Sequence, residues 1–491
     1  MAGPIIAFFM RQITVSKPQD EVKPLSQADN RGPNHPECLD QQAVYSLVRG
    51  TMPPKAAHQT TGTLFGHPTG LFILFFTEMW ERFSYYGMRA LLIFYMTKQL
   101  LMPQDSASHI YGLYCGLVYF TPLLGGWLAD RYLGQHRSVV LGGIIMAVGH
   151  FLMAFESLFY PALLCLICGN GLFKPNISAQ VGGLYAPGDP RRDRAFSIFY
   201  VGINLGAFLA PLICGGLGET LGWHYGFGAA GVGMVIGLLL YLAGRRTLPA
   251  QPRSRSVAEA SAANPQDTRN RILGFITVCL LVIVFWAVYE QLGNTMALWV
   301  DADTDRHILG WEMPASWFQS FNPLLIFTLT PLVTALWARQ ARRGREPSSP
   351  AKMGLGLFLT AGAFLSMVYP ATLYAVDGTP VSMFWLLGFT ALLTLGELYL
   401  SPVGLSLVSK IAPPRMISLF MGIWFLSQFF GNLGAGMLGG LWESLSRPVF
   451  FTLLAGIAFL AGVLVMALLR PLRRVLGTSR ETGVRSAQPE V

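Results

Sequence analysis

Glu78-Met79-Trp80-Glu81-Arg82-Phe83-Ser84-Tyr85-Tyr86-Gly87-Met88-Arg89 stands inside a long apolar stretch, Gly70 through Leu100, that reads as one membrane-spanning helix. Glu78, Glu81, Arg82 and Arg89 therefore sit at membrane depth. At about 100° per residue, positions 78, 82, 85 and 89 fall nearly in line, with 81 and 86 on either flank. One polar stripe faces away from lipid. Each such charge costs about 2.5–3.5 kcal/mol at a helix centre, so four are tolerated only where they pair or line a watered cavity.

The rest of the chain belongs to the same world. It has 491 residues, 52% hydrophobic and 12% charged, the composition of a polytopic membrane protein rather than a soluble domain. The net charge of +9 resides mostly in short loops between apolar spans, which is membrane topology and not a nucleic-acid face. Five of the six cysteines lie in apolar spans, so no disulfide framework is expected. Cys165 and Cys168 form a CxxC without a second pair or a nearby His, and read as packing residues rather than as a metal site.

Residues 1–64 are polar and Pro-rich apart from a short apolar burst, Pro4 to Met10, that lacks a basic lead and a cleavage site. They read as a disordered cytoplasmic extension. Met52 is a candidate physiological start, to be checked by intact mass of the native protein. With a window of about 20 residues, apolar spans recur near 70–99, 108–131, 137–157, 158–186, 192–218, 223–244, 271–300, 316–338, 353–374, 381–408, 416–442 and 448–470. The expectation is an all-α polytopic membrane protein with twelve transmembrane helices in two six-helix bundles, residues 65–247 and 270–472. A cytoplasmic linker (248–269) joins them and a cytoplasmic tail (473–491) follows. Loops bearing Arg131/Arg137, Arg191/Arg192/Arg194, Arg245/Arg246, Arg339/Arg342/Arg343/Arg345, Lys410/Arg415 and Arg470/Arg473/Arg474 alternate with loops poor in Lys and Arg. Both termini are thereby placed inside, in a multi-pass plasma (inner) membrane protein.

Two six-helix halves joined by a loop are the pattern of a major-facilitator secondary transporter, with a central site that alternates between two faces. Gly125-Gly126-Trp127-Leu128-Ala129-Asp130-Arg131, with Gly134 and Arg137, resembles that superfamily's cytoplasmic loop motif. Asp130 would cap a neighbouring helix and lock the inner gate; an ordinary tight turn with solvated charges fits the same residues equally well.

Beyond the first helix, intramembrane charges are few: Lys174 in helix 4, Glu290 in helix 7 and Glu397 in helix 10. Helices 1 and 7, and 4 and 10, are equivalent in two six-helix halves, so Arg89 can face Glu290 and Lys174 can face Glu397 as gate salt bridges. Fixed bridges stitching the halves together are the plainer reading, disfavoured because apolar residues would do that job better. The core holds four carboxylates against three cations, and one proton makes it neutral. That layout suits a proton-coupled carrier with no other cofactor, each proton worth about 2.3 kcal/mol per 100 mV, and a zwitterionic cargo. Pro122, Pro175, Pro323 and Pro402 stand beside polar residues as candidate kinks. Trp286, Trp424, Phe83, Tyr85 and Tyr86 could wall the cavity, and His150 is read as packing.

Glu78-x-x-Glu81-Arg82-Phe83-Ser84-Tyr85-Tyr86 resembles the signature of the proton-dependent oligopeptide transporter family. Phe199-Tyr200-x-x-Ile203-Asn204-x-Gly206, Gly171-Leu-Phe-Lys174-Pro175-Asn176, Phe285-Trp286-Ala-Val-Tyr-Glu290-Gln291, Gln319-Ser-Phe-Asn322-Pro323, Gly396-Glu397-Leu-Tyr-Leu-Ser401-Pro402 and Gly422-Ile423-Trp424-Phe425 are similar to its other helices. The resemblance implies that Glu78, Glu81 and Arg82 form the proton-coupled network, with Glu290 and Arg89 as the switching pair. Lys174 and Arg89 would hold the peptide carboxylate and Glu397 its amino terminus. Tyr86, Tyr119, Asn204 and Asn322 would bind the peptide backbone, and Trp286, Trp424 and Ser401 would shape side-chain pockets. The linker is too short for the two extra helices of many bacterial members. The histidine that animal members carry in helix 2 corresponds here to Gly112.

The function expected is a proton-coupled symporter that imports di- and tripeptides, and peptide-like drugs, by alternating access as a monomer. A carrier of nitrate-like anions is the near rival, against which Glu290 and Glu397 argue. A non-transporting sensor would not need the complete proton-coupling set. An enzyme is not expected: there is no GxSxG, HExxH or P-loop.

Overall fold

A chain in lipid must satisfy its own backbone groups, and these apolar runs do so as helices. The computed structural model describes residues 62–186, 189–248, 265–411 and 417–475. Among them twelve helices of 18 residues or more follow in order: α1 (Thr69–Phe94), α2 (Gln104–Leu128), α3 (Gln135–Leu152), α4 (Phe159–Gly183), α5 (Arg191–Ala210), α6 (Trp223–Gly244), α7 (Pro265–Tyr289), α8 (Phe321–Arg342), α9 (Ser349–Asp377), α10 (Phe384–Ile411), α11 (Ile417–Gly439) and α12 (Arg447–Ala467). Nine helical stretches among the described residues are long and apolar enough to cross a membrane. The stretch containing α1 is not one of the nine, because its Glu and Arg residues offset its apolar content.

The expected 1–64 extension, including Met52, falls outside the described residues except for 62–64, where Thr63–Leu64 pairs as a short strand with His67–Pro68. Most of the expected linker, the tail beyond 475 and Arg415 also lie outside them.

Within α1–α6, α1 packs on α5 and α6, α3 on α4 and α6, and α2 on α4; within α7–α12, α7 packs on α11 and α12, α9 on α10 and α12, and α8 on α10. Two extended seams join these sets, α2 against α11 and α5 against α8. At the end of the bundle where α1 finishes and α2 begins, here called the sealed end, hydrogen bonds and an ion pair also join the two sets. There Lys98 Nζ reaches Asp301 Oδ1 at 2.7 Å, Gln104 Nε2 donates to the Gly439 carbonyl at 3.0 Å and Ser108 Oγ donates to Asn294 Oδ1 at 2.9 Å. Gly112 lets α2 touch α11: a Cβ there would stand 2.6 Å from the Asn432 carbonyl oxygen and 2.7 Å from Gly436 Cα. Even the first carbon of a larger residue has no room. The α2–α11 seam runs on to Phe120 against Phe429, with ring centroids 5.4 Å apart.

The prolines divide. Pro122, Pro175 and Pro402 lie inside α2, α4 and α10, where each removes one intrahelical hydrogen bond. Pro323 does not interrupt a helix: it occupies the first turn of α8, after a 3₁₀ segment Ala315–Ser320, where backbone N–H groups lack intrahelical acceptors in any case. The expected single span 271–300 is broken instead. α7 ends at Tyr289, a 3₁₀ turn spans Glu290–Gly293, and a short helix Thr295–Asp303 continues from Asn294. Glu290 thus stands at the break in its helix.

Candidate functional site

The polar stripe of α1 is buried. Glu78, Glu81 and Arg82 are 2%, 0% and 3% exposed. Four residues along a helix place Glu78 above Arg82, whose Nε lies 3.1 Å from Glu78 Oε1, and the same guanidinium pairs with Glu81. Asn170 of α4 donates to Glu81 Oε1 at 3.3 Å. Two carboxylates share one cation, and Glu78 Oε2 has no hydrogen-bond donor among the described residues.

Two turns further along α1, Arg89 forms an ion pair with Glu290 at the break after α7. Its Nε also donates to Tyr111 Oη of α2 at 2.8 Å. This pair bridges the two helix sets next to their sealed end, as helix equivalence led us to expect.

Glu397 on α10 is held by neutral donors. Tyr289 Oη donates to its Oε2 at 2.7 Å and Asn322 Nδ2 at 3.0 Å, while Asn322 also donates to Thr394 Oγ1 at 3.0 Å. The expected Lys174–Glu397 ion pair is not formed. Lys174 Nζ lies 4.3 Å from the centre of the Tyr119 ring, within the field of Glu78 and Glu81 on its own set of helices. Neutral hydrogen bonds to Glu397 and cation–π contact to Lys174 satisfy each group within its own half, and both remain partly exposed.

Tyr86 is partly exposed and within electrostatic reach of Arg82, Arg89, Glu290 and Glu397, so it stands where the charged groups converge. Asn204, 5% exposed, turns its Nδ2 to the Tyr200 carbonyl on its own helix at 3.0 Å. Trp286 and Trp424 are buried, and neither indole N–H has an acceptor among the described residues. Trp286 meets the Tyr289 ring edge-on at 5.3 Å. Ser401 lies one turn beyond Glu397, partly exposed. His150 is fully buried with both ring nitrogens unpartnered among the described residues, as a packing histidine would be.

Asp130, Arg131 and Arg137 are exposed around the π-helical turn Ala129–Leu133 that ends α2. Among the described residues Asp130 accepts no hydrogen bond from a helix terminus, and Arg131 rests 5.7 Å from the Tyr132 ring centre.

Four residues of the site were not singled out from the sequence: Tyr111, Asn170, Tyr289 and Thr394. Spacing could have found three of them. Asn170 precedes Lys174 by one turn of α4, Tyr289 follows Trp286 on one face of α7, and Thr394 precedes Glu397 on α10. Tyr111 carries no such mark, since its partner comes from another helix.

Comparison with known proteins bears on this arrangement. The sequence profile of the POT family matches residues 136–265 and 254–448. The peptide transporter YePEPT of Yersinia enterocolitica subsp. palearctica serotype O:3 (strain YE-P4) is 35% identical, over 85% of this chain and 97% of that protein. A di-/tripeptide transporter of Lactococcus lactis subsp. cremoris is 34% identical, over 86% and 99%. A crystal structure of a peptide transporter POT with sulfate superposes with a TM-score of 0.77 at 33% identity, over 84% of this chain and 97% of that one. A variant of peptide transporter POT with alafosfalin gives 0.76 at 33%, over the same shares. An apolar helical body with paired charges at its centre, matched along most of its length by transporters of one kind, leaves no place for an enzyme: this integral membrane protein of major-facilitator fold belongs to the POT family.

Proposed function

We propose that this protein is a proton-coupled symporter that imports di- and tripeptides by alternating access, driven by an inward proton gradient. The observation that carries the reading is the buried Arg89–Glu290 pair bridging the two helix sets, with Glu397 nearby held by neutral groups only. A carboxylate without a cation accommodates the amino terminus of a peptide, and Lys174 with Arg89 offers cations for its carboxylate. When Glu290 takes a proton or the peptide carboxylate competes for Arg89, the bridge loosens and the sealed end opens. Glu78, Glu81 and Arg82 form the buried reservoir that passes the proton on. Tyr86, Tyr119, Asn204 and Asn322 meet the peptide backbone, while Trp286, Trp424 and Ser401 shape side-chain pockets.

All twelve long helices cross the membrane in this reading, as bundles 65–247 and 270–472, with both termini in the cytoplasm and the sealed end outward. The protein works as a monomer in the inner membrane, with protons as its coupling ion. Relatives support the cargo: one is named a di-/tripeptide transporter, and solved structures hold alafosfalin and a thioalcohol-conjugated peptide. Peptide-like drugs are accordingly substrates. Uptake of labelled dialanine into proteoliposomes, with and without an inward proton gradient, is the test. Gradient-dependent accumulation is expected, and its absence removes the proposal.

A further inference from the structure

Beside the Arg89–Glu290 and Lys98–Asp301 pairs, the sealed end is closed by two seams of different chemistry. Where α2 meets α11 the polar contact across the seam is neutral: Gln104 Nε2 donates to the Gly439 carbonyl at 3.0 Å. Where α5 meets α8 a full charge is used. A short helix, Gly216–Thr220, extends α5 and carries Glu219. Its carboxylate accepts the Ala315 N–H at Oε2 and the Ser316 N–H at Oε1, each at 2.8 Å.

Those two N–H groups open the helical run Ala315–Ser320 that leads into α8, so neither has an acceptor within its own helix. Pro314, at the capping position, has no side chain to supply one. The acceptor comes from the other helix set, and its negative charge meets the positive end of a helix. The fit around it is close. A Cβ on Gly215 would fall against Ser316 Oγ, and Ser320 Oγ donates to the Phe208 carbonyl at 2.8 Å.

We propose that Glu219 is a gate residue: it clasps the start of α8 to the end of α5 and holds the outer end shut between openings, independently of Arg89 and Glu290. The inference rests on the alternating-access reading, in which this end opens once per cycle. Opening must then break two charge-assisted hydrogen bonds, so Glu219 acts on the balance between the two conformations and not on peptide binding. It touches none of the groups assigned to substrate or proton.

The test uses the full chain in nanodiscs, free of native cysteines, with spin labels at Tyr160→Cys and Phe384→Cys. These positions are 61% and 71% exposed and begin α4 and α10 at the sealed end. Glu219→Ala, which loses both bonds, should raise the longer-distance population about tenfold, and Glu219→Gln, which can keep one, should fall between Ala and wild type. Exchange of labelled against unlabelled dialanine establishes that each variant is folded. An unchanged distance distribution in an exchange-competent Glu219→Ala protein overturns the proposal. If the wild type fails to accumulate dialanine, the transport reading fails, while the label distances still decide the clasp.

Discussion

Glutamine in place of Glu290 should separate two abilities that the proposed symport mechanism combines. Glu290 is 2% exposed and the Arg89 side chain 11%, so solvent screens their attraction little. Removing one partner of such a buried pair costs about 3–5 kcal/mol, chiefly because the other charge is stranded. Glutamine limits the damage: its carbonyl oxygen still accepts from the guanidinium, and a hydrogen bond to a charged group contributes about 1.5–3 kcal/mol. Tyr111 continues to accept from Arg89 Nε. The join at the sealed end should therefore weaken by about 1–3 kcal/mol, or roughly five- to 150-fold in the conformational equilibrium. That is enough to shift populations and too little to unfold a body of twelve packed helices. The amide cannot exchange a proton near neutral pH, however, so binding no longer draws on the gradient. Proteoliposomes bearing Glu290→Gln should exchange labelled for unlabelled dialanine yet fail to accumulate it against a concentration difference when an inward proton gradient is imposed. Full concentrative uptake by this variant would refute Glu290 as a coupling group and, with it, the division of labour between the two ends of the α1 stripe.

Other substitutions probe separate links. Glu397→Ala removes the acceptor of Tyr289 and Asn322 and should weaken binding of free-amine dipeptides by tenfold or more while sparing amino-blocked ones; equal losses in a competition assay remove its assigned role. Gly112→Ala places a methyl group against the α11 backbone and should hold the outer end ajar, so that an impermeant maleimide reaches Cys115 faster from outside; unchanged labelling speaks against the tight α2–α11 seam. His67 Nδ1 bonds Tyr185 Oη at 2.7 Å, and burial, then Arg191 and Arg194, hold its proton affinity below the ordinary histidine value, with Asp189 opposing. The unfolded chain therefore binds the extra proton first, and this clasp loses stability as pH falls below about 6.5. Protection of the amides of residues 62–67, corrected for the intrinsic pH dependence of exchange, should fall between pH 7.5 and 5 in the wild type, and His67→Phe should abolish that loss.

How far could all this be read along the chain? The α1 stripe was legible because helical periodicity is local: Glu78, Arg82 and Arg89 share a face by spacing alone, and apolar flanks make their charge costly. The Arg89–Glu290 pair was legible one level up, because two equivalent halves imply which helices face each other. Lys174 and Glu397 followed the same logic and did not meet. Each found partners within its own half, Tyr119 in one case and Tyr289 with Asn322 in the other, and neutral hydroxyls, amides and rings carry no sign of charge by which a reader could match them. Pro323 looked like a kink because it follows Asn322 in an apolar run, but its effect depends on where α8 begins.

By itself, the sequence determined the helical membrane body and the burial of charge along α1, since these follow from hydropathy, period and side-chain chemistry. Only the tertiary structure decided which carboxylate keeps a cation and which keeps neutral donors, that Glu290 stands at a helix break, and that Glu219 reaches across to the start of α8. Those facts depend on distances between segments remote in the chain, which are set by packing small residues such as Gly112 and Gly215 against opposing helices.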